Sequence, residues 1–165
     1  MTEIRRALAD QLAHTAEGGA WHGPSVRETL VGVTAADAVR HPIRGAHSIW
    51  ELVLHLSGAY DLVLRRIEGD ASPLTPAEDW PVLLEPTDAN WQRAIDRYHA
   101  VNARMREAIL RFPIERLFEP IVENPPYSAF TQFVGLTQHD LFHAGQIMLL
   151  KRALKESAPP LDPGA

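Results

Sequence analysis

The sequence predicts an all-α fold, a four-helix bundle with long connections, and three observations carry that expectation. Apolar residues recur every three to four positions through four long windows. No segment alternates with the two-residue period of a strand, and no β–α–β succession is present. Capping residues stand where the long windows begin or end. The 165 residues suit one domain, and a chain of this size buries roughly 70% of its unfolded surface without staples. The bundle is expected over 1–156 as a single domain, with 157–165 ("SAPPLDPGA") a flexible tail.

Taken in order, Ile4, Leu8, Leu12 and Ala16 mark an amphipathic helix over 3–17, which Gly18-Gly19 ends. The next stretch is broken by Gly and Pro and predicts one short helix near 25–32, a turn near 35–38 and a loop. Ser48 is an N-cap with Glu51 at the capping-box spacing, so a strong helix runs from Ser48 to about Glu68, and Gly69 stops it. Four prolines and no periodicity make 70–86 a loop lying over the bundle. Trp91, Ile95, Tyr98, Met105 and Ile109 form the inner stripe of a long helix from about Thr87 to Phe112. After a connector with one turn, the last helix runs from about Ser128 to Glu156.

Composition excludes several functions. With no cysteine there are no disulfides, thiolate metal ligands or cysteine nucleophile. A net charge of −5 without a basic patch argues against nucleic acid as a partner. Charges interrupt the first residues, which do not read as a signal peptide. The apolar runs fall short of the about 20 residues that span a bilayer. The expectation is a soluble, cytoplasmic protein acting on a small molecule. No glycine-rich phosphate loop, dinucleotide fingerprint or G-x-S-x-G is present.

The candidate site lies in "TQHDLFHAGQI", residues 137–147. At about 100° per residue, Gln132, Gly135, His139, His143 and Gln146 share one narrow stripe on a helix that is apolar on most other sides. His55 is likewise embedded among Trp50, Leu52, Val53, Leu54 and Leu56. Burying an imidazole unpaired costs on the order of 1–3 kcal/mol. Two histidines at i and i+4 reach one ion, and a third from a facing helix gives three nitrogens with positions left open, as a catalytic divalent metal requires. The plain alternative is a set of core histidines bonded to carbonyls. "HDLFH" also invites comparison with H-E-x-x-H metalloproteases, but Asp140 is a methylene shorter than Glu and sits about 100° from His139. Asp140 reads instead as an orienter of a neighbouring group or as solvated.

Around these residues stand others with two readings each. Glu51, on the stripe of His55, either accepts from an imidazole N–H or only completes the cap of Ser48. Gln132 and Gln146 either orient ligands and substrate or bond a neighbouring helix. His22 either lines the pocket mouth or is exposed beside a packed Trp21, and His47 is placed to stand behind a ligand. Trp80 flanks a loop that closes one end of the bundle. Arg66 complements the helix dipole and shares the stripe of His55, where an acidic group of a ligand would meet it.

The segments "HSIWELVLHLSGAYDLVLRRIEG" (47–69) and "GLTQHDLFHAGQI" (135–147) resemble the DinB/YfiT-like superfamily of metal-dependent bundle proteins, the match running from about 20 to 152. The resemblance implies that His55, His139 and His143 bind one divalent ion, zinc or nickel above all, in a bundle that is frequently a homodimer. It also implies a low-molecular-weight thiol cosubstrate such as bacillithiol, mycothiol or glutathione, hence an S-transferase. The catalytic residues beyond the ligands are left unassigned. A metal-dependent hydrolase, a non-catalytic metal-binding stress-response bundle and a purely structural bundle remain the alternatives.

Overall fold

A computed structural model describes residues 2–156, so the expected tail 157–165 lies outside the described residues. All regular structure among them is helical: α1 (Thr2–Glu17), α2 (Val26–Leu30), α3 (Ala35–Ala38), α4 (Ile49–Ile67), α5 (Pro76–Asp79), α6 (Asp88–Arg111) and α7 (Ala129–Glu156), with a 3₁₀ turn at Ile114–Arg116. The four long helices are the four predicted windows, each within a residue or two of its expected ends. α1 and α4 each pack against both α6 and α7, which closes the bundle, and α2 lies against α1 and α7.

The caps act where the sequence places them. Ser48 accepts from the Glu51 amide while Glu51 returns a bond to the Ser48 amide, fixing the first turn of α4. At the other end Gly69 takes φ +94, a left-handed conformation that a residue with a Cβ resists. The core is filled from every long helix: Leu12, Leu56, Met105, Ile109, Phe133 and Ile147 are fully buried. Each such side chain contributes about 1.5–3 kcal/mol of burial free energy.

The segment 70–86 departs from expectation. Thr75 caps a short helix, with Pro76 at its first position and Glu78 completing a capping box. This turn rests on α4. A Cβ on Gly58 would stand 2.8 Å from the Glu78 carbonyl oxygen, so only glycine lets the turn approach this closely. The strap it forms, from Gly69 to Thr87, brings two side chains down onto α4 beside His55.

Candidate metal centre

α4 and α7 meet along a seam in which three imidazoles converge. His55 Nε2 lies 3.0 Å from His139 Nε2, which lies 3.0 Å from His143 Nε2. One ligand atom from each ring falls within 4.8 Å of the others. Nitrogens each about 2.1 Å from a shared ion stand roughly 3.0 Å apart at a square angle and roughly 3.4 Å at a tetrahedral one, close to the two spacings of 3.0 Å here.

The outer nitrogens decide where the ring protons sit. His55 Nδ1 is 2.8 Å from Asp79 Oδ1 and 3.2 Å from the Asp79 carbonyl, both acceptors, so it carries the proton. His143 Nδ1 donates in the same way to Gln146 Oε1 at 2.6 Å. The Nε2 atoms of His55 and His143 therefore present lone pairs to the centre. His139 has one ring proton and cannot donate it to both, and its Nδ1 is buried without a partner. An added proton does not resolve the mismatch. Burial first, then the neighbouring rings of His143 and His55, push His139 down to about 3, and burial lowers His143 as well. A cation that accepts three lone pairs at once fits the set; a proton does not.

Trp80 from the strap and His47 from the approach to α4 extend a ring stack from His55. Trp80 stacks on His55 at 4.2 Å between centroids with a 1° interplanar angle, and His47 stacks on Trp80 at 3.5 Å. His55 is thus held by a carboxylate at its rear nitrogen and an indole on its face, the arrangement that fixes tautomer and orientation in metal-binding histidines.

The model of the DinB superfamily matches residues 20–147, more than half of the chain and inclusive of all three histidines. The chain belongs to the DinB superfamily. No curated protein matches it. A crystal structure of a conserved protein from Enterococcus faecalis is similar over 95% of this chain and 98% of that one, with a TM-score of 0.65 at 19% identity, a likeness of fold.

The remaining site candidates of this DinB chain fall into three groups. Gln146 touches the triad through His143. Gln132 is buried on the same stripe of α7 and accepts from Arg66 Nη1 at 3.0 Å while donating to the Tyr127 carbonyl. Glu51 and His22 are not brought to the triad. Glu51 accepts from the Ser48 amide at 2.6 Å and from His41 Nε2 at 2.9 Å. Burial works to raise its pKa, and these bonds hold it below the ordinary value. His22 is exposed against Trp21, which is 95% exposed rather than packed on the bundle.

Asp79 and Trp80 were not singled out as a pair behind His55. The available signal was "TPAED": a capping threonine, proline at N1 and glutamate at N3 mark a helical turn inside the proline-rich segment. Of the two readings of Asp140, the solvated one does not hold, and the groups that Asp140 bonds are not part of the triad. Asp140 is fully buried and faces away from the triad, accepting from Tyr60 Oη at 2.7 Å and Thr15 Oγ1 at 3.1 Å. Asn102 donates to Tyr60 Oη at 2.9 Å, and the buried Tyr98 ring packs edge-on against Tyr60. Burial raises the Asp140 carboxyl to about 7 against the hydroxyl bonds that pull it down. A cavity of about 680 Å³ lies along α4 under the strap, lined by Trp50, Leu54, Leu64, Leu74, Val82 and Arg97, and touches none of the three imidazoles.

Among the described residues no helix is long and apolar enough to cross a membrane.

Proposed function

We propose that His55, His139 and His143 hold one divalent transition metal, zinc or nickel, and that the protein is a metal-dependent S-transferase for a low-molecular-weight thiol. The observation that carries the metal reading is the convergence of three imidazoles, with His139 Nε2 3.0 Å from the Nε2 atoms of both His55 and His143, and with rear protons directed to Asp79 and Gln146. All-nitrogen ligation suits zinc, nickel, copper or iron, and zinc and nickel are the two that the DinB/YfiT-like resemblance implies.

When bound, such an ion supplies the positive charge that lowers the pKa of a thiol or a water into the neutral range. The residues of the chain do the rest. Three neutral imidazoles leave the ion's charge undiminished, where carboxylate ligands would offset it. Asp79 keeps His55 in the tautomer that presents Nε2, and Trp80 keeps its ring from rotating. The chain has no cysteine, so the nucleophilic sulfur comes from a small molecule. A second copy on the exposed apolar face of α7, where Phe142 and Leu149 lie, fits the homodimer that the resemblance implies.

Purified protein loaded with zinc or nickel, assayed with bacillithiol, mycothiol and glutathione against chlorinated electrophiles, is expected to consume one thiol with loss of chloride. Metal at one equivalent but no thiol turnover, together with ester or amide cleavage, would replace this reading with the hydrolase. Metal without any turnover would leave a binding module.

A further inference from the structure

The seam between α4 and α7 is bridged twice. At one end His55 meets His139 and His143; at the other Arg66 meets Gln132. Both bridges use the same two stripes, since Arg66 lies on the helix face of His55, and Gln132 on that of His139. Between them Ala59 and Leu62 stand on the stripe of α4 and Gly135 on that of α7. A Cβ built on Gly135 would meet nothing within 4 Å, so the space above it is open.

Arg66 is unlike the cations around it. Arg65 pairs with Glu78 at 3.0 Å, Arg97 with Asp61 at 2.6 Å, and Arg106 with Glu17 at 2.9 Å. Arg66 is half-buried, and among the described residues no carboxylate lies within ion-pair reach of it. Its Nη1 bonds the neutral amide of Gln132, and its Nε, like those of Arg65 and Arg106, is buried without an acceptor. Desolvation acts on this guanidinium most strongly, the neighbouring charge of Arg65 adds to it, and Tyr127, not a carboxylate, is what acts against it. Gln132 is itself pinned by the Tyr127 carbonyl, so it holds the guanidinium in place without neutralising it. A planar fork of donors so held is suited to two oxygens of a carboxylate.

We infer that Arg66 is the anchor for a carboxylate on the substrate or cosubstrate, which lies in the α4/α7 seam over Ala59 and Gly135 with its reactive end at the three histidines. At about 1.5 Å of rise per residue, Gln132 lies about 10 Å from His139 along α7. The Arg66 side chain leans back toward the N-terminus of α4, and so toward His55. The ligand class is therefore a thiol or electrophile bearing a carboxylate about 10 Å from the atom that reacts. This inference rests on the metal reading above and extends it to substrate selection.

The test uses full-length protein loaded with cobalt, whose visible spectrum reports ligand exchange at the histidines. The probes are ω-mercaptoalkanoic acids of graded length and the matching ω-mercaptoalkanols. Acids long enough to span about 10 Å should bind roughly tenfold tighter than the alcohols, the effect of a charge-assisted hydrogen bond. Short acids should show no such gap. Arg66→Gln should erase the preference at unchanged cobalt content, and Arg66→Lys should retain part of it. Gly135→Leu, which fills open space and suits a helix, should weaken the long probes and spare 2-mercaptoethanol. Equal binding of acids and alcohols at every length overturns the inference, as does a preference that survives both Arg66→Gln and Gly135→Leu. A wild-type chain that takes up no cobalt overturns this inference together with the metal reading; one that takes up cobalt but does not discriminate overturns this inference alone.

Discussion

α7 carries two polar clusters back to back, one turned to α4 and the strap, the other to the centre of the bundle. His139 and His143 form the first; Asp140, one residue on, belongs to the second. The same physical term acts on both. Burial disfavours charge, driving His139 down to about 3 and Asp140 up to about 7. The outcomes differ because of what surrounds each group. Asp140 meets donors, the hydroxyls of Tyr60 and Thr15, and a single proton relieves the rest. His55 and His143 meet acceptors at their rear nitrogens and His139 meets none, so the lone pairs are turned on one another and a foreign cation relieves them. A buried polar group that closes on its own neighbours holds a fold together; one whose partners turn it toward an empty centre marks a site.

The largest effect that separates the two clusters should come from His139→Ala. Metal affinity is expected to fall more than 100-fold, on the order of the contribution of a direct ligand, while the metal-free protein stays folded. Elemental analysis and calorimetric titration check it; a variant that still binds one equivalent would erase the distinction. Tyr60→Phe should do the reverse. It leaves a buried carboxylate oxygen and the Asn102 amide without their shared hydroxyl, so denaturant unfolding should show a loss of about 1–3 kcal/mol with metal affinity unchanged. Asp79→Asn should weaken metal binding about 10- to 100-fold by releasing the His55 tautomer, and Gly58→Ala should weaken it less, by lifting the strap from α4.

A separate test of the comparison is the pH dependence of the metal-free protein. For His139 the ordinary value is 6.5 and the folded value about 3, so its contribution is present above pH 6.5 and is lost as pH falls toward 3. For Asp140 the ordinary value is 3.8 and the folded value about 7, so stability is lost as pH rises between them. His139→Ala should therefore gain on the wild type as the solution is acidified below pH 6.5, and Asp140→Asn should gain as pH is raised from 3.8 to 7. Unfolding free energies across that window that move the other way would refute the assignment.

The bundle and the triad were legible because both follow from one helix at a time. The spacing of Leu8, Leu12 and Ala16, or of His139 and His143, is fixed by the helical repeat wherever the helix packs. Asp79 and Asp140 were not legible for the opposite reason. Asp79 reaches His55 only because a strap folds back onto α4 across Gly58, 24 residues removed in chain order from its partner. The burial of Asp140 depends on hydroxyls from α1 and α4, which a wheel drawn for α7 cannot contain. Glu51 shared the stripe of His55, yet side chains on a helix lean toward its N-terminus, and it serves Ser48 and His41 there instead.

The parallel stack of His47, Trp80 and His55 also gives the protein an optical handle. An indole in contact with a ligand ring is close enough for a paramagnetic ion such as cobalt, nickel or copper to quench its emission, while zinc, with a filled d shell, would leave it bright. Fluorescence lost on adding one ion and retained with another would report occupancy in dilute solution, and Trp80→Phe would subtract the background of the other three tryptophans.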